Sequence, residues 1–261
     1  MPMQQLNQPI LELKNVLVEL SGEVILKDIN LKIFHGETVV IMGLSGSGKT
    51  VLLKTLAGLF KPKSGNVLYF GVDWNDLTDH AKHELAKKIG MQFQKSALFD
   101  DRSVYENLAF VLREQTTMGE EKIHDRVTEC LRAVGLEKYQ GFREYELSGG
   151  MKQRVGIARS IVLKPEILFM DDPTAGLDPV NADNMAEMIL DLKRQIDSTL
   201  VIVTHDVDRA YQFAGRIFLV DNQTVIETGD AKHTQSFQDP RVQQFIGGRV
   251  HGPLTDGKDF M

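Results

Sequence analysis

The sequence feature that most constrains the fold is a glycine-rich loop between two apolar segments. The segment before it, Thr38 to Met42, is a β-branched run typical of a buried strand. The segment after it, Val51 to Ala57, is apolar and free of Gly and Pro, which favours a helix. The loop reads G-x-x-x-x-G-K-T, with the residues Gly43, Leu44, Ser45, Gly46, Ser47, Gly48, Lys49 and Thr50.

This loop is predicted to bind the phosphates of a nucleoside triphosphate. Its glycines allow successive N–H groups to face one anion, and the helix that follows adds its positive N-terminal end. Lys49 can reach the β- and γ-phosphates, and the hydroxyl of Thr50 can ligate Mg²⁺. The alternative is a glycine-rich turn followed by a chance Lys-Thr, and the strand and helix on either side disfavour it.

The composition is that of a globular protein and disfavours several functional classes. At 261 residues, with 42% hydrophobic and 25% charged side chains, the chain can hold one large α/β domain or two small ones. A net charge of −6 argues against a nucleic-acid partner, which usually needs a basic face, although local basic patches stay open. The only cysteine, Cys130, excludes an intrachain disulfide and a cysteine metal cluster, and we expect it on the apolar face of a helix.

The sequence predicts neither a membrane-spanning helix nor a signal peptide. No apolar run approaches the ~20 residues that a spanning helix needs. The first five residues have neither the basic region nor the apolar core of a signal peptide. We therefore expect a soluble protein of a reducing compartment.

The pattern along the chain predicts an antiparallel sheet first and a helical segment later. Residues 10–16 and 24–33 alternate apolar and polar side chains around a turn at Ser21-Gly22, as in half-exposed strands. Residues 63–66 predict a turn, and residues 67–70 a strand.

The middle of the chain is expected to be mostly helical. Residues 79–88 predict a helix, residues 89–94 a strand, and residues 104–134 two helices interrupted at 116–119. Since residues 96–163 contain no strand signal, we interpret them as a helical subdomain inserted in the core.

The last third predicts a parallel sheet. Buried strands at 167–170 and 200–204 are connected by a helix at about 180–195, and strand–helix–strand alternation implies parallel strands with right-handed crossovers. Residues 217–220 and 224–227 suggest a closing hairpin. The predicted fold is therefore α/β, with a parallel-sheet core, an N-terminal antiparallel β-subdomain and a helical subdomain.

Polar residues follow three of these strands, at the sheet edge where ligands collect. They are Gln94, the pair Asp171-Asp172, and His205. Asp171 suits a carboxylate that holds Mg²⁺, although either aspartate alone would also fit a turn cap. A lone histidine at a strand end is as often structural as functional, so His205 stays open between holding a γ-phosphate or water and a structural role.

A second helix start has the character of an anion site. Ser148, Gly149 and Gly150 precede a helix with apolar residues at 151, 155, 158 and 162. Alone, this is an ordinary loop-to-helix junction. In a chain that already has a phosphate loop, it suggests a nucleotide shared between two molecules.

In these motifs and in their order, the chain resembles an ABC-transporter nucleotide-binding subunit, from about residue 10 to residue 230. Residues 43–50 correspond to Walker A, Gln94 to the Q-loop, residues 147–151 to the signature, 167–171 to Walker B, 176–178 to the D-loop, and His205 to the switch histidine. The resemblance implies a P-loop NTPase of ABC type over residues 1–246. It implies ATP and Mg²⁺ as ligands, with Lys49, Gln94, Asp172 and His205 as catalytic residues and with Thr50, Gln94 and Asp171 around the metal.

The same resemblance implies partners and a location. ABC subunits form head-to-tail dimers in which each ATP lies between one Walker A and the other subunit's signature. They drive an integral membrane permease, whose coupling helix docks near the Q-loop. A homodimer on the cytoplasmic face of the inner membrane is therefore expected.

A narrower resemblance is to the ATPases of Mla-type phospholipid transporters. It rests on residues 97–99, 112–116, 146–151 and 239–245, and on Met151 where most ABC subunits have glutamine. Such systems pair the ATPase with a lipid permease, a mammalian-cell-entry (MCE) domain protein and sometimes a STAS-domain protein.

Three positions depart from these patterns. Leu20 stands where many ABC subunits stack adenine on an aromatic ring, and Asp172 stands where the catalytic glutamate is usual. Residues 174–177 follow the general ABC pattern more closely than the Mla form.

Two rival functions stay open: the ATPase of another importer, for example for amino acids, and a nucleotide-gated scaffold that hydrolyses ATP weakly. A chromosome-maintenance ABC ATPase would need a long coiled-coil insertion, which the sequence lacks.

The C-terminal tail, residues 247–261, is rich in glycine and polar residues. It is expected either to contact a partner or to be a disordered end. The apolar residues expected to be buried against a second subunit are Phe245, Ile246, Val250 and Leu254.

Overall fold

The computed structural model of the chain describes residues 8–213 and 215–256, which divide into two compact units. Unit 1 comprises residues 8–77, 201–213 and 215–256, and unit 2 comprises residues 78–200. Across these residues, no helix combines the length and the apolar character that crossing a membrane requires.

Unit 1 contains the predicted antiparallel sheet. Its four strands are β1 (Pro9–Leu20), β2 (Glu23–Phe34), β4 (Ser64–Tyr69) and β5 (Val72–Asp73), in the order β2-β1-β4-β5. The predicted strands at 10–16 and 24–33 are confirmed as β1 and β2. The turn predicted at 63–66 is wrong from Ser64 onward, because these residues pair with β1: Ser64 lies opposite Leu17, and Asn66 opposite Lys14. Long-range pairing prevails here over the local turn preference of Ser-Gly-Asn.

Unit 1 also holds the strand that leads into the phosphate loop. Strand β3 (Thr38–Met42) is buried at every residue and pairs in parallel with β9 (Arg216–Asp221), which pairs antiparallel with β10 (Thr224–Gly229). The last residues of β8 (Thr199–Val203) lie beside β3. The helices of unit 1 are α1 (Lys49–Leu56), α7 (Val207–Phe213), α8 (Ala231–Ser236) and α9 (Pro240–Ile246).

Unit 2 combines two parallel strands with five helices among its described residues. Strands β6 (Ile89–Gln92) and β7 (Ile167–Asp171) pair in parallel, and the first residues of β8 lie beside β7, where the Thr199 N–H donates to Glu166 O at 2.9 Å. The helices are α2 (Asp79–Lys87), α3 (Val104–Gln115), α4 (Glu120–Ala133), α5 (Gly149–Ser160) and α6 (Pro179–Ile196). Cys130 is buried in α4 as predicted, and burial raises the pKa of its thiol to about 11.

One residue near the end of the chain does not match the sequence-based expectation. Leu254, predicted to be buried against a second subunit, is already buried in the chain itself, with an exposure of only 1%. Its N–H donates to Oε1 of the buried Gln244 at 2.7 Å, which ties the segment to α9. Val250, in contrast, is 75% exposed. Residues 257–261 of the predicted tail lie outside the described residues.

Candidate nucleotide site

The phosphate loop in unit 1 follows a path that requires glycine. Gly43 has φ +151°, and a Cβ there would lie 2.5 Å from Val220 O on strand β9 and 2.8 Å from Ser47 Oγ. Gly48 has φ +100° and forms the N-cap of α1 without a capping side chain. The loop therefore passes close to β9 at Gly43 and leads directly into the start of α1, which carries the positive end of the helix dipole.

The lysine of the loop is held over the loop itself. Lys49 Nζ donates to Gly43 O at 2.9 Å and to Leu44 O at 2.7 Å. These bonds hold the ammonium group over the loop's carbonyl groups. A polyphosphate arriving at the loop would find a positive charge already in place.

His205 lies at the same sheet edge as the phosphate loop. The N–H of Thr204, which follows β8, donates to Ile41 O in β3 at 3.1 Å. The chain leaves β3 at Met42 toward the loop and leaves β8 toward His205, whose side chain is exposed. Unit 1 therefore brings together two of the residue sets that the sequence singled out.

Asp171 and Asp172 lie at the end of β7 in unit 2, and both are buried. Asp172 is 6% exposed and has φ +47°, a left-handed conformation that aspartate and asparagine adopt more readily than most residues. Its carbonyl accepts from Ala175 N–H at 3.0 Å, which closes the turn that follows. The chain therefore turns sharply at Asp172.

The second predicted anion site is the exposed start of α5. Ser148 forms the N-cap, and its Oγ accepts from Met151 N–H at 3.3 Å. A Cβ at Gly149 would meet nothing within 4 Å, so this helix start is open.

The start of α6, also in unit 2, is capped by an aspartate. Asp178 Oδ1 accepts from the N–H groups of Val180 and Asn181 at 3.1 Å each, at the start of α6. Its hydrogen bonds to the side chain and backbone of Asn181 lower the pKa of Asp178.

Gln94 lies in the loop after β6, and its side chain is exposed. Hydrogen bonds from α5 hold the backbone of this loop. Gln153 of α5 donates from Nε2 to Gln94 O at 2.7 Å. Sequence reasoning missed Gln153, because nothing in the α5 pattern shows that this polar residue is buried. A glutamine among apolar positions of a helix, with its partners on another element, can be recognised only from the tertiary structure.

An apolar cleft of about 350 Å³ opens beside this loop in unit 2. Phe99 and Phe110 form an edge-to-face pair with centroids 5.3 Å apart, and the guanidinium of Arg102 lies 4.6 Å and 4.2 Å from the two centroids. The buried Asn107 fixes the loop by accepting from Phe99 N–H at 2.8 Å. The cleft thus has an aromatic wall with a cation stacked upon it.

A model of the ABC transporter family matches residues 26–175, which is more than half of the chain. The chain belongs to the ABC transporter family. It is therefore an ABC-type ATPase, and the predicted α/β fold of this family is confirmed.

The most similar curated relatives include ATPases of phospholipid transport. The intermembrane phospholipid transport system ATP-binding protein MlaF of Haemophilus influenzae is 36% identical over 249 residues, which cover 95% of this chain and 94% of MlaF. MlaF of Escherichia coli K12 is 32% identical, with 97% and 94% covered. These relatives confirm the resemblance to Mla-type ATPases. A probable ribonucleotide transport ATP-binding protein, mkl of Mycobacterium leprae, is 37% identical, with 94% of this ABC ATPase and 70% of mkl covered.

Solved structures agree with this family. The dimeric cassette MJ0796 in a post-hydrolysis state, bound to ADP and Pi, superimposes with a TM-score of 0.77 at 34% identity, covering 84% of this chain and 98% of that one. CbiO1 from Clostridium perfringens, part of the ABC transporter complex cbiONQ, gives a TM-score of 0.80 at 30% identity, with 94% and 96% covered.

Proposed function

We propose that this ABC ATPase is the dimeric motor subunit of a phospholipid transporter, bound at the cytoplasmic face of a bacterial inner membrane. The observation that carries the motor role is the phosphate loop, with Lys49 held over its backbone. The phospholipid assignment is supported by the MlaF relatives, which match nearly the whole chain.

The residues of the two units suit different parts of the reaction. Lys49 and the N–H groups at the start of α1 bind the β- and γ-phosphates of ATP. Asp172 acts as general base toward the attacking water, and His205 orients the γ-phosphate. Phosphate, lysine and base are thus the minimal set for in-line attack of water on the γ-phosphorus.

Oxygen ligands for Mg²⁺ fit this assignment. Thr50, Gln94 and the buried Asp171 offer a hydroxyl, an amide oxygen and a carboxylate, which are hard donors. No group of three or more His, Cys, Asp and Glu that could hold a metal occurs among the described residues. Mg²⁺ typically takes only one or two carboxylates together with water and substrate phosphates, and it would neutralise phosphate charge here.

The signature residues act on the nucleotide of a second subunit. The start of α5 is open, and Ser148 and Gly149 are exposed. A helix start of this kind binds anions. The relative MJ0796 is dimeric in its ADP-bound and Pi-bound state, which supports a composite site.

A heterodimer tests this composite site. We expect a Lys49→Ala subunit linked to a Ser148→Arg subunit to regain one active site, because the intact loop of one subunit meets the intact signature of the other. Each homodimer should be inactive. The measurement is the ATPase rate of cross-linked heterodimers, at about half of the parental rate. Heterodimers no faster than either homodimer would contradict a shared site.

The cleft of unit 2 is proposed to receive a cytoplasmic helix of the permease. The apolar wall formed by Phe99 and Phe110 suits an amphipathic helix, and Arg102 and Arg159 beside it favour an acidic residue on that helix. CbiO1, as part of cbiONQ, supports assembly with further transporter subunits. An MCE-domain protein and a STAS-domain protein are proposed as further partners of the same complex.

Phe99→Asp is expected to release the permease, since it places a charge in the apolar wall of the cleft. We expect at least about tenfold less permease on a tagged subunit, because losing a well-packed aromatic anchor at an interface costs about 2 kcal/mol or more. The control is Met118→Asp, which changes an exposed apolar residue (45%) similar in exposure to Phe99 (37%). Equal recovery of the permease by Phe99→Asp and the parent would contradict docking here.

The relative mkl suggests ribonucleotides as a competing substrate class. The ATPase rate of the complete transporter distinguishes ribonucleotides from phospholipids. In a phospholipid transporter, the ATPase rate of the reconstituted complex should change with the phospholipid content of the vesicles. Stimulation by ribonucleotides other than ATP instead would assign the substrate class in the name of mkl.

A further inference from the structure

The side chain of Gln153 joins the signature helix to the loop that carries Gln94. Gln153 is 7% exposed, and its Nε2 donates to Gln94 O at 2.7 Å. Its Oε1 accepts from Gln92 Nε2 at 2.8 Å and from Ser96 Oγ at 3.2 Å. One amide thus bonds three residues of segment 92–96 and uses both its donor and its acceptor.

The same segment is strained and is held from a second point on α5. Ser96 and Ala97 have φ values of +58° and +46°, and such residues persist only where their surroundings impose the conformation. Arg159 donates to Ser96 O at 2.8 Å, and burial lowers the pKa of this guanidinium. Besides the loop's own backbone hydrogen bonds, two side chains of α5 therefore hold its shape.

The network is costly, which argues against a purely stabilising role. Oε1 of Gln92 is buried without a hydrogen-bond partner among the described residues. A partly satisfied buried network is less stable than an apolar one of the same shape. Hydrogen bonds, however, fix distance and direction in a way that apolar contacts do not.

The position of Gln153 along α5 connects two predicted functional groups. It lies five residues after Ser148, a rise of about 7.5 Å at 1.5 Å per residue. A helix segment this short is rigid, so the signature end and the Gln94 backbone keep a fixed separation. Any movement of α5 moves Gln94 with it.

We propose that Gln153 is a positioning residue for ATP hydrolysis, which sets Gln94 relative to the signature end of α5. The proposal rests on the proposed function, in which the side chain of Gln94 is an oxygen ligand for Mg²⁺. Gln153 does not touch the metal and acts only through Gln94. Its expected signature is a lower kcat with an unchanged KM for ATP.

A double-mutant cycle tests the proposal. Gln94→Ala should lower kcat about 100-fold and Gln153→Met about tenfold, because a misplacement of ~1 Å can cost on the order of 10² in rate. The double variant should be no slower than Gln94→Ala alone, since Gln153 has no route to the reaction once the Gln94 side chain is gone. A merely structural role would multiply the two losses.

Two further variants make the result specific. Gln140→Met is the matched control, because Gln140 belongs to the same unit and its Nε2 donates to Thr128 Oγ1 at 3.4 Å. It should leave kcat unchanged. Gln153→Glu keeps the two acceptor bonds and loses only the donor to Gln94 O, so it should lower kcat as Gln153→Met does. Gln153→Glu also replaces Gln153→Met in the double-mutant cycle if Gln153→Met fails to fold. Folding is judged by comparing the thermal midpoint of each variant with that of the parent.

The outcomes separate this proposal from the proposed function. Parental kcat in Gln153→Glu or in Gln94→Ala, or losses that multiply in the double variant, would overturn the positioning role while the ATPase assignment stands. A parent chain without ATP hydrolysis, even with its permease, would overturn the proposed function itself.

Discussion

Lys49→Ala is expected to weaken ATP binding or turnover by at least about 30-fold. Lys49 lies over the phosphate loop, with its ammonium bonded to Gly43 O and Leu44 O. Removing a charge-assisted hydrogen bond to phosphate costs at least about 2 kcal/mol, which is about 30-fold in an equilibrium or rate constant. The measurement is ATP affinity together with the ATPase rate of the assembled transporter.

The control for this variant is a lysine on the same helix. Lys54→Ala removes a lysine from the last turn of α1, where its Nζ lies 5.5 Å from the Phe60 ring. It should leave turnover close to the parental rate. Equal turnover by Lys49→Ala and the parent would contradict the assignment of the loop as the active site.

Asp172→Asn is expected to abolish turnover and to leave ATP binding and ATP-dependent dimer closure intact. General-base catalysis typically contributes 10²–10⁴-fold, and an amide cannot accept the proton of the attacking water. The left-handed backbone at Asp172 makes this a clean substitution, because asparagine tolerates φ of +47° as well as aspartate does. Single-turnover hydrolysis at saturating Mg-ATP is the measurement.

Asp172→Glu tests the reach of the carboxylate. The side chain of Asp172 is one methylene shorter than the glutamate usual in ABC subunits, and ~1 Å of misplacement can cost on the order of 10²-fold. We therefore expect faster hydrolysis in Asp172→Glu, unless the strained backbone or the buried surroundings reject the longer side chain. If Asp172→Asn hydrolyses as fast as the parent, the carboxylate has no catalytic role, and a nucleotide-gated scaffold becomes the better interpretation.

Local sequence determined most elements of the fold, because their signals are short-range. The β-branched run at 38–42 is a buried strand, and Gly43 needs a glycine because no Cβ fits beside Val220 O. The helix at 120–133 begins directly after Gly119, which is the last residue of the predicted interruption at 116–119. The motifs and their order along the chain likewise identified the family. Each motif can be recognised locally, since the spacing of its residues reflects the geometry of one ligand.

Tertiary structure alone decided the features that depend on distant partners. Ser64, Gly65 and Asn66 have the local chemistry of a turn, but pairing with β1 makes them a strand. Leu254 belongs to a segment with the glycine-rich, polar composition of a tail, but it is buried in the chain itself and its N–H bonds to Gln244. Gln153 reads as one more polar position on a helix, and its role follows only from three hydrogen bonds to residues about 60 positions away. The sequence by itself therefore determined local elements and motifs, whereas strand register, burial of polar side chains and the coupling between elements arise from contacts that local patterns do not encode.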